Sequence, residues 1–324
     1  MVGVGRLDQP DARKAHTSPV PKGGGVGVVV AFLVGIAVLY RYADFARLAD
    51  PYFRGVILAA SAIALVAFID DLRDWPFTVK LAAQVAAAAL AVGSGLVVTE
   101  LNLPWWGTLA LGWTGAPLTL VWILFATNAM NFIDGLNGLA SGVSAITCAV
   151  LAAIAAAFGG WFVYAASLLL AAGLLGFLPY NFPRARIFMG DVGSQFCGFV
   201  LAVLAVAAGR FQGVSLSVLL VPMLLFGVLF DVAFTLVRRL VAGDRITDAH
   251  RSHLYQVAHR SGLDARLVTL VHWGFALWGG ACCWLFVGAE GWGKPLPVLL
   301  VVPPQAAWLV FVACRARRVG LGRW

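Results

Sequence analysis

The chain has 324 residues, 61% of them hydrophobic and only 12% charged, with a formal net charge of +8. A soluble globular domain is about 45–50% apolar and about 25% charged, so this composition excludes an ordinary soluble fold and points to an integral membrane protein. Lipid offers backbone groups no partners, which restricts spans to helices or closed barrels. The apolar runs here are continuous rather than alternating, so they predict helices.

Ten hydrophobic spans are predicted, at about 23–42, 53–70, 78–98, 117–133, 138–157, 161–180, 194–209, 213–238, 265–287 and 295–314. The expected fold class is all-α: a polytopic membrane helix bundle of about ten transmembrane helices. Residues 1–324 are expected to form a single transmembrane domain, without internal repeats. The polar N-terminus has no signal-peptide core. The five cysteines show no zinc spacing and are read as small buried hydrophobes.

Ten spans place both termini on one side. Arg41, Arg47, Arg54, Arg210 and Lys294 then fall on the opposite side, leaving the other 18 of the 23 Lys and Arg with the termini. By the positive-inside rule that richer side is cytoplasmic. Nearly every unusual polar motif lies on it.

The first motif is "DARKAHTSPVPKGGG". Arg13, Lys14, His16 and Lys22 precede a glycine-rich start to a span. The prolines keep the chain extended and the glycines allow close packing. A basic arm drawn to anionic lipid is the alternative. In "FIDDLRDWP", Asp70 and Asp71 close a span, where the negative end of the helix dipole disfavours acids by about 0.3–1 kcal/mol each. A cation or general-base site would explain them; a solvated acidic cap is the plainer reading. Lys80 begins the next span and can return to the same interface.

In "NAMNFIDGLNGLASG", steps of three residues turn about 300° each on an ideal helix. Asn131 and Asp134 are therefore neighbours, while Asn128 and Asn137 lie on opposite faces. One straight helix cannot gather all four, and Gly135 and Gly138 supply a break. Broken backbone at membrane depth is tolerated only where it lines a buried or watered cavity. In "RIFMGDVGSQFCG", Asp191 lies between Gly190 and Gly193, with Ser194 as the expected helix cap. Such a turn suits a phosphate or the hard cation that carries it; a simple Asp-Gly turn is the alternative.

In "LLFGVLFDVAFTLVRR", Asp231 lies about two turns inside a span, with Thr235 and Arg238 on the same face. An intramembrane acid is a functional candidate, and a structural contact between helices is equally open. In "DRITDAHRSHLYQVAHR", His250 and His253 are one turn apart with Arg251 between them. No third metal ligand is evident, so phosphate binding by Arg and His fits better; a merely basic loop is the alternative.

Five of these segments together, "RKAHTSPVPKGGG", "DDLRDWPFTVKLAAQ", "NAMNFIDGLNGLASG", "PYNFPRARIFMGDVGS" and "HRSHLYQ", span about residues 13–256. In this order they resemble the polyprenyl-phosphate N-acetylhexosamine-1-phosphate transferases, relatives of the phospho-MurNAc-pentapeptide translocase. The "HRSHLYQ" form is most similar to the O-antigen-initiating branch. The resemblance implies transfer of a sugar-1-phosphate from a UDP-N-acetylhexosamine to undecaprenyl phosphate, with release of UMP. That step would initiate O-antigen or other cell-envelope polysaccharide synthesis. It implies Mg²⁺, with Mn²⁺ able to substitute, and a multi-pass protein of the bacterial inner membrane with a cytoplasmic active site.

By resemblance, Asp191 and Asn131 are metal ligands. Asp70, Asp71, Asp134 and Lys80 are catalytic. His250, Arg251, His253, Asn128 and Asn181 bind substrate. The chain departs from the pattern at Asn137, where many bacterial members carry a second Asp. It also starts almost at the basic motif, where relatives usually have a preceding helix. The expected partners are the two substrates and the lipid bilayer, not nucleic acid; a homodimer is left open. A transporter or lipid flippase with Asp231 on its path is the rival reading. It would need polar residues spread through the bilayer depth, whereas the acids gather on one side. The short 239–264 loop disfavours a peptide-bearing sugar.

Overall fold

The computed structural model describes residues 7–8, 19–42, 51–103, 107–210, 216–245 and 250–322. Arg13, Lys14 and His16 of the basic arm, and Arg47, lie outside the described residues. Two short strands, β1 (Leu7–Asp8) and β2 (Val20–Pro21), pair antiparallel ahead of α1 (Gly25–Tyr42). Then come α2 (Pro51–Arg73) and α3 (Phe77–Gly93). An antiparallel hairpin of β3 (Glu100–Leu103) and β4 (Gly107–Ala110) follows. The remaining helices are α4 (Gly115–Ile133), α5 (Leu139–Ala157), α6 (Trp161–Asn181), α7 (Gly190–Arg210), α8 (Leu220–Leu224), α9 (Phe226–Val241), α10 (Leu254–Arg260), α11 (Ala265–Gly288), α12 (Pro295–Leu300) and α13 (Val302–Arg318).

The all-α polytopic class holds, but among the described residues eight stretches, not ten, are long and apolar enough to cross a membrane. Two expected spans fall short. The 78–98 span is the 17-residue α3, about 25 Å long at 1.5 Å per residue against a ~30 Å hydrocarbon core. The 213–238 span is split at Leu225 into α8 and α9. Pro222 inside α8 has no N–H to give the helix ladder, and α9 carries Asp231, Arg238 and Arg239. The multi-pass character stands on the eight that remain.

The centre of the bundle is α7. Every residue from Val192 to Ala208 is buried, as expected of a helix that is apolar all round. Helices α1, α2 and α4 pack against it, and α5 packs on α6 and α11. Phe196 on α7 meets Phe32 on α1 edge to face, with centroids 5.4 Å apart. Of the cysteines expected to be buried, Cys148, Cys197, Cys282 and Cys283 are; Cys314 is exposed. The buried stripe of α13 runs through Gln305, Trp308, Val312 and Ala316, and Cys314 lies off it.

The glycine-rich start of α1 has a specific use. The Phe188 N–H donates to the Pro21 carbonyl at 2.9 Å. The N–H groups of Gly24 and Gly25 donate to the carbonyls of Phe188 and Met189, each at 2.9 Å. This lays the chain before α1 along the chain before α7, so two segments far apart in sequence enter the bundle together. A Cβ on Gly25 would sit 2.3 Å from the Gly193 Cα and 2.8 Å from the Met189 carbonyl oxygen. Both obstacles are backbone, so neither can rotate away. Gly25→Val is expected to lose roughly 3 kcal/mol or more of stability, while Gly27→Ala, at an exposed position with open space, stays near wild type. Thermal melting of the two purified variants in detergent checks this; a Gly25→Val melting temperature equal to wild type would contradict the backbone contact.

Candidate active site

The site is assembled around the first turn of α7. Residues at a helix N-terminus leave their N–H groups without partners, and in lipid an unmet N–H costs several kcal/mol. Asp71, near the end of α2, meets two of them. Its Oδ1 accepts from the Asp191 N–H and its Oδ2 from the Val192 N–H, both at 3.1 Å. Gly190 makes this approach feasible, with φ +75 and no side chain: a Cβ there would sit 2.5 Å from Asp71 Oδ2. The cap comes from another helix, not from Ser194 as the local sequence suggests. The helix starts at Gly190, four residues earlier, and the Ser194 hydroxyl donates back to the Gly190 carbonyl at 3.2 Å.

Asp191 is thereby fixed and faces three groups. Lys80 Nζ contacts Asp191 Oδ2 at 3.1 Å and also pairs with Asp70 Oδ2. One ammonium thus serves two carboxylates. The Asn131 amide donates to Asp191 Oδ1 at 3.2 Å and to the Ser194 hydroxyl at 3.0 Å. Gln195 Nε2 reaches Asp191 Oδ2 at 3.3 Å. Asp70 also accepts the Trp75 N–H at 2.8 Å, which fixes the turn between α2 and α3. The neighbouring acids therefore divide their work: Asp71 caps α7, and Asp70 faces Lys80.

Two residues that the sequence reading did not single out extend this cluster into the bundle. Gln84 Nε2 donates to Gln195 Oε1 at 3.1 Å, and Asn128 Nδ2 donates to Gln84 Oε1 at 2.7 Å. Asn128 therefore joins the site through Gln84. The signal was present in the spacing: Lys80 and Gln84, like Asp191 and Gln195, are four residues apart and share a helix face.

Helix α4 ends at Ile133, and Asp134 begins the break. Among the described residues no side-chain hydrogen bond to Asp134 is seen. Burial pushes its carboxyl well above the usual range, and the Asp191 and Asp71 charges add to this, opposed by Lys22. Gly138, with φ +74, restarts the chain as α5. Asn181, expected among the substrate-binding residues, is buried. Its Oδ1 accepts from the Gly138 N–H at 2.8 Å and the Ser141 hydroxyl at 3.0 Å, and its Nδ2 donates to the Ile187 carbonyl at 3.1 Å. It pins the break rather than joining the carboxylates. The Asn137 amide lies 3.5 Å from the Pro183 carbonyl oxygen.

The basic loop borders the same region. The His253 ring lies 5.7 Å from Phe132 at the end of α4 and 5.0 Å from His250. Burial pushes the His250 imidazole down to about 4, with His253, Arg239 and Arg238 contributing. Neutral at pH 7, its Nδ1 lies 3.0 Å from the Ser252 hydroxyl. Arg251 is half-buried beside it.

This donor set suits a hard divalent cation. It is built of oxygens, and two carboxylates already converge on one positive charge. Mg²⁺ keeps much of its water and uses one or two carboxylates plus substrate phosphates. Among the described residues no group of three or more His, Cys, Asp or Glu could hold a metal ion by itself.

Fold and site define a multi-pass membrane protein with an acidic, cation-sharing centre beside a basic loop. Residues 53–209 match the profile of glycosyl transferase family 4. The chain is 33% identical over 272 residues to the "Probable undecaprenyl-phosphate N-acetylglucosaminyl 1-phosphate transferase" of Bacillus subtilis (strain 168), covering 83% of this chain and 74% of that one. It is 32% identical over 302 residues to the "Decaprenyl-phosphate N-acetylglucosaminephosphotransferase" of Mycobacterium tuberculosis (strain ATCC 25618 / H37Rv), covering 86% and 74%. To the "Undecaprenyl-phosphate alpha-N-acetylglucosaminyl 1-phosphate transferase" of Thermotoga maritima it is 29% identical over 255 residues, covering 78% and 73%. The chain belongs to glycosyl transferase family 4, within the polyprenyl-phosphate N-acetylhexosamine-1-phosphate transferases.

The two shifted groups fix signs for the dependence of stability on pH. His250 titrates at about 4 when folded and near its ordinary value of about 6.5 when unfolded. The unfolded chain therefore holds the extra proton, and stability falls as pH drops through that window. Asp134 has the opposite occupancy: the folded chain holds the extra proton, so stability falls as pH rises above about 3.9 towards its raised value. His250→Gln is expected to flatten the loss on acidification from pH 6.5 to 4, and Asp134→Asn to raise the melting temperature at pH 7. Melting curves between pH 4 and 8 check both; a lower melting temperature for Asp134→Asn at pH 7 would refute the upward shift of the Asp134 carboxyl.

Proposed function

We propose that this protein transfers N-acetylglucosamine-1-phosphate from its UDP-linked donor to undecaprenyl phosphate, giving the lipid diphosphate sugar and UMP. The single observation that carries this reading is the convergence of Asp70, Lys80, Asn131 and Asp191, from four separate helices, beside a loop bearing His250, Arg251 and His253. Two anionic substrates need such a pairing of a cation-holding face with a basic one. The relatives' names supply the sugar and the polyprenyl phosphate acceptor. The reaction would take place on the cytoplasmic face of the bacterial inner membrane, where a nucleotide sugar is made. It would begin assembly of a cell-envelope polysaccharide.

Asp191 and the amide oxygen of Asn131 would hold Mg²⁺, with Mn²⁺ as a substitute. Bound there, the ion supplies charge neutralisation at the diphosphate and a better UMP leaving group. Lys80 keeps an ammonium at the phosphates while tied to Asp70. Arg251, with the ring nitrogens of His250 and His253, holds the donor phosphates from the other side. The attacking lipid phosphate has a second pKa near 6 and is largely ionised at pH 7. Little base strength is therefore needed, and positioning dominates. Asp134 is the group placed to take or give a proton. Asp71 acts by holding Asp191 in place. The rival transporter reading loses its main support, because Asp231 is engaged in capping a helix.

Purified protein given UDP-N-acetylglucosamine and undecaprenyl phosphate is expected to release UMP, to stop with excess EDTA and to recover with Mg²⁺. Asp191→Asn should lower kcat by about 10²–10³-fold or more. Undiminished turnover in EDTA would remove the metal from the mechanism. The absence of UMP release across a panel of UDP-N-acetylhexosamines would remove the function.

A further inference from the structure

Asp231 has no place in the chemistry above, yet it is among the best satisfied acids in the chain. It is 1% exposed on α9. Its Oδ1 accepts from the Leu254 N–H at 2.8 Å and from the Thr235 hydroxyl at 3.3 Å, and faces His253 Nδ1 at 3.3 Å. Its Oδ2 accepts from the Tyr255 N–H at 3.0 Å. The carboxylate thus meets the first free N–H groups of α10 and one ring nitrogen of His253. An imidazole facing a carboxylate through Nδ1 carries a proton there, which leaves Nε2 as the nitrogen for a ligand.

The contact continues beyond α10. The Tyr255 hydroxyl donates to the Phe132 carbonyl at 2.9 Å, across the gap to α4. Tyr255 is 1% exposed, and its ring lies within 6.0 Å of the His253 ring. Phe132 stands between Asn131 and Asp134, so its carbonyl belongs to the stretch that bears the acidic face. From Asp231 to Phe132 each link is a hydrogen bond or a covalent neighbour, and the middle of the chain is buried.

We propose that Asp231 and Tyr255 are positioning residues that brace the basic loop against the end of α4, so that the donor-binding and acidic faces hold a fixed spacing. This rests on the transferase reading for its kinetic consequences but not for its structural ones. Asp231 sets the loop and the His253 ring; Tyr255 transmits that setting to Asn131 and Asp134. The transfer step joins groups held on the two faces, and a misplacement of about 1 Å can cost about 10²-fold in rate.

The test uses Tyr255→Phe, which removes one hydroxyl and keeps the ring, and Asp231→Asn. Tyr255→Phe should lower kcat about tenfold while KM for UDP-N-acetylglucosamine stays within about twofold, because the loop is still capped. Asp231→Asn should raise that KM instead. The double variant should lose less than the two single losses combined, since both act through one brace. A lower melting temperature with kcat and KM unchanged in both single variants would overturn the proposal and leave a structural role. Amide hydrogen exchange supplies a readout independent of activity. Tyr255→Phe should speed exchange at 131–138, and Asp231→Asn at 250–260 as well. Unchanged exchange at 131–138 in Tyr255→Phe would also overturn it. If wild type releases no UMP, the function fails while exchange still decides the brace. If Asp231→Asn does not fold, Tyr255→Phe decides alone.

Discussion

The carboxylate of Asp71 sits against the N-terminus of α7 and takes two of its free N–H groups. Neither partner is tolerable alone. A buried carboxylate without partners is strongly disfavoured, and so are unmet N–H groups in lipid. Together they satisfy each other, and the positive end of the helix dipole adds to the attraction. The helix so capped is buried from Val192 to Ala208, and α1, α2 and α4 pack around it. Its first turn carries Asp191, so the same contact that seats the central helix also aims the principal acid. Gly190 and the Gly25–Gly193 approach exist to let backbone come this close.

The same device occurs a second time. Asp231 meets the Leu254 and Tyr255 N–H groups just as Asp71 meets those of Asp191 and Val192. In each case an acid on one long helix fixes the start of another, and the residues beside the capped turn are the polar ones. The capped turns carry opposite chemistry. The α7 turn belongs to a face of carboxylates in which Lys80 serves both Asp70 and Asp191 and burial raises the Asp134 carboxyl. The α10 turn follows Arg251 and the two histidines, with His250 neutral at pH 7. A face of carboxylates thus lies beside a loop of hydrogen-bond donors.

Polar groups reach deeper than the cluster of acids. Asn128, Gln84 and Gln195 form a chain of amides between α4, α3 and α7 that ends on Asp191. Gln84 and Gln195 each give and accept, and Asn128 donates to Gln84 and to the Leu124 carbonyl, so the chain is held by side-chain hydrogen bonds between helices. It ties three helices to the orientation of one carboxylate.

The helical membrane class, the break after Asp134 and the identity of the polar stretches were all legible in the order of amino acids. Those features are written in composition and local spacing: long apolar runs, and three-residue steps that no straight helix can gather. The sequence also placed Lys80 at the interface shared with Asp70, because both lie beside one short turn. Only the tertiary structure separated Asp70 from Asp71, since neighbouring residues at a helix end point in different directions and what each meets depends on the helix packed there. Gln84 and Gln195 gained meaning only once α3 and α7 were adjacent. Asp231, read from sequence as an open functional candidate, proved to be a cap for a helix that starts 23 residues later. The count of spans changed for the same reason: hydropathy records that a segment is apolar, but where its hydrogen-bond ladder breaks is settled by geometry.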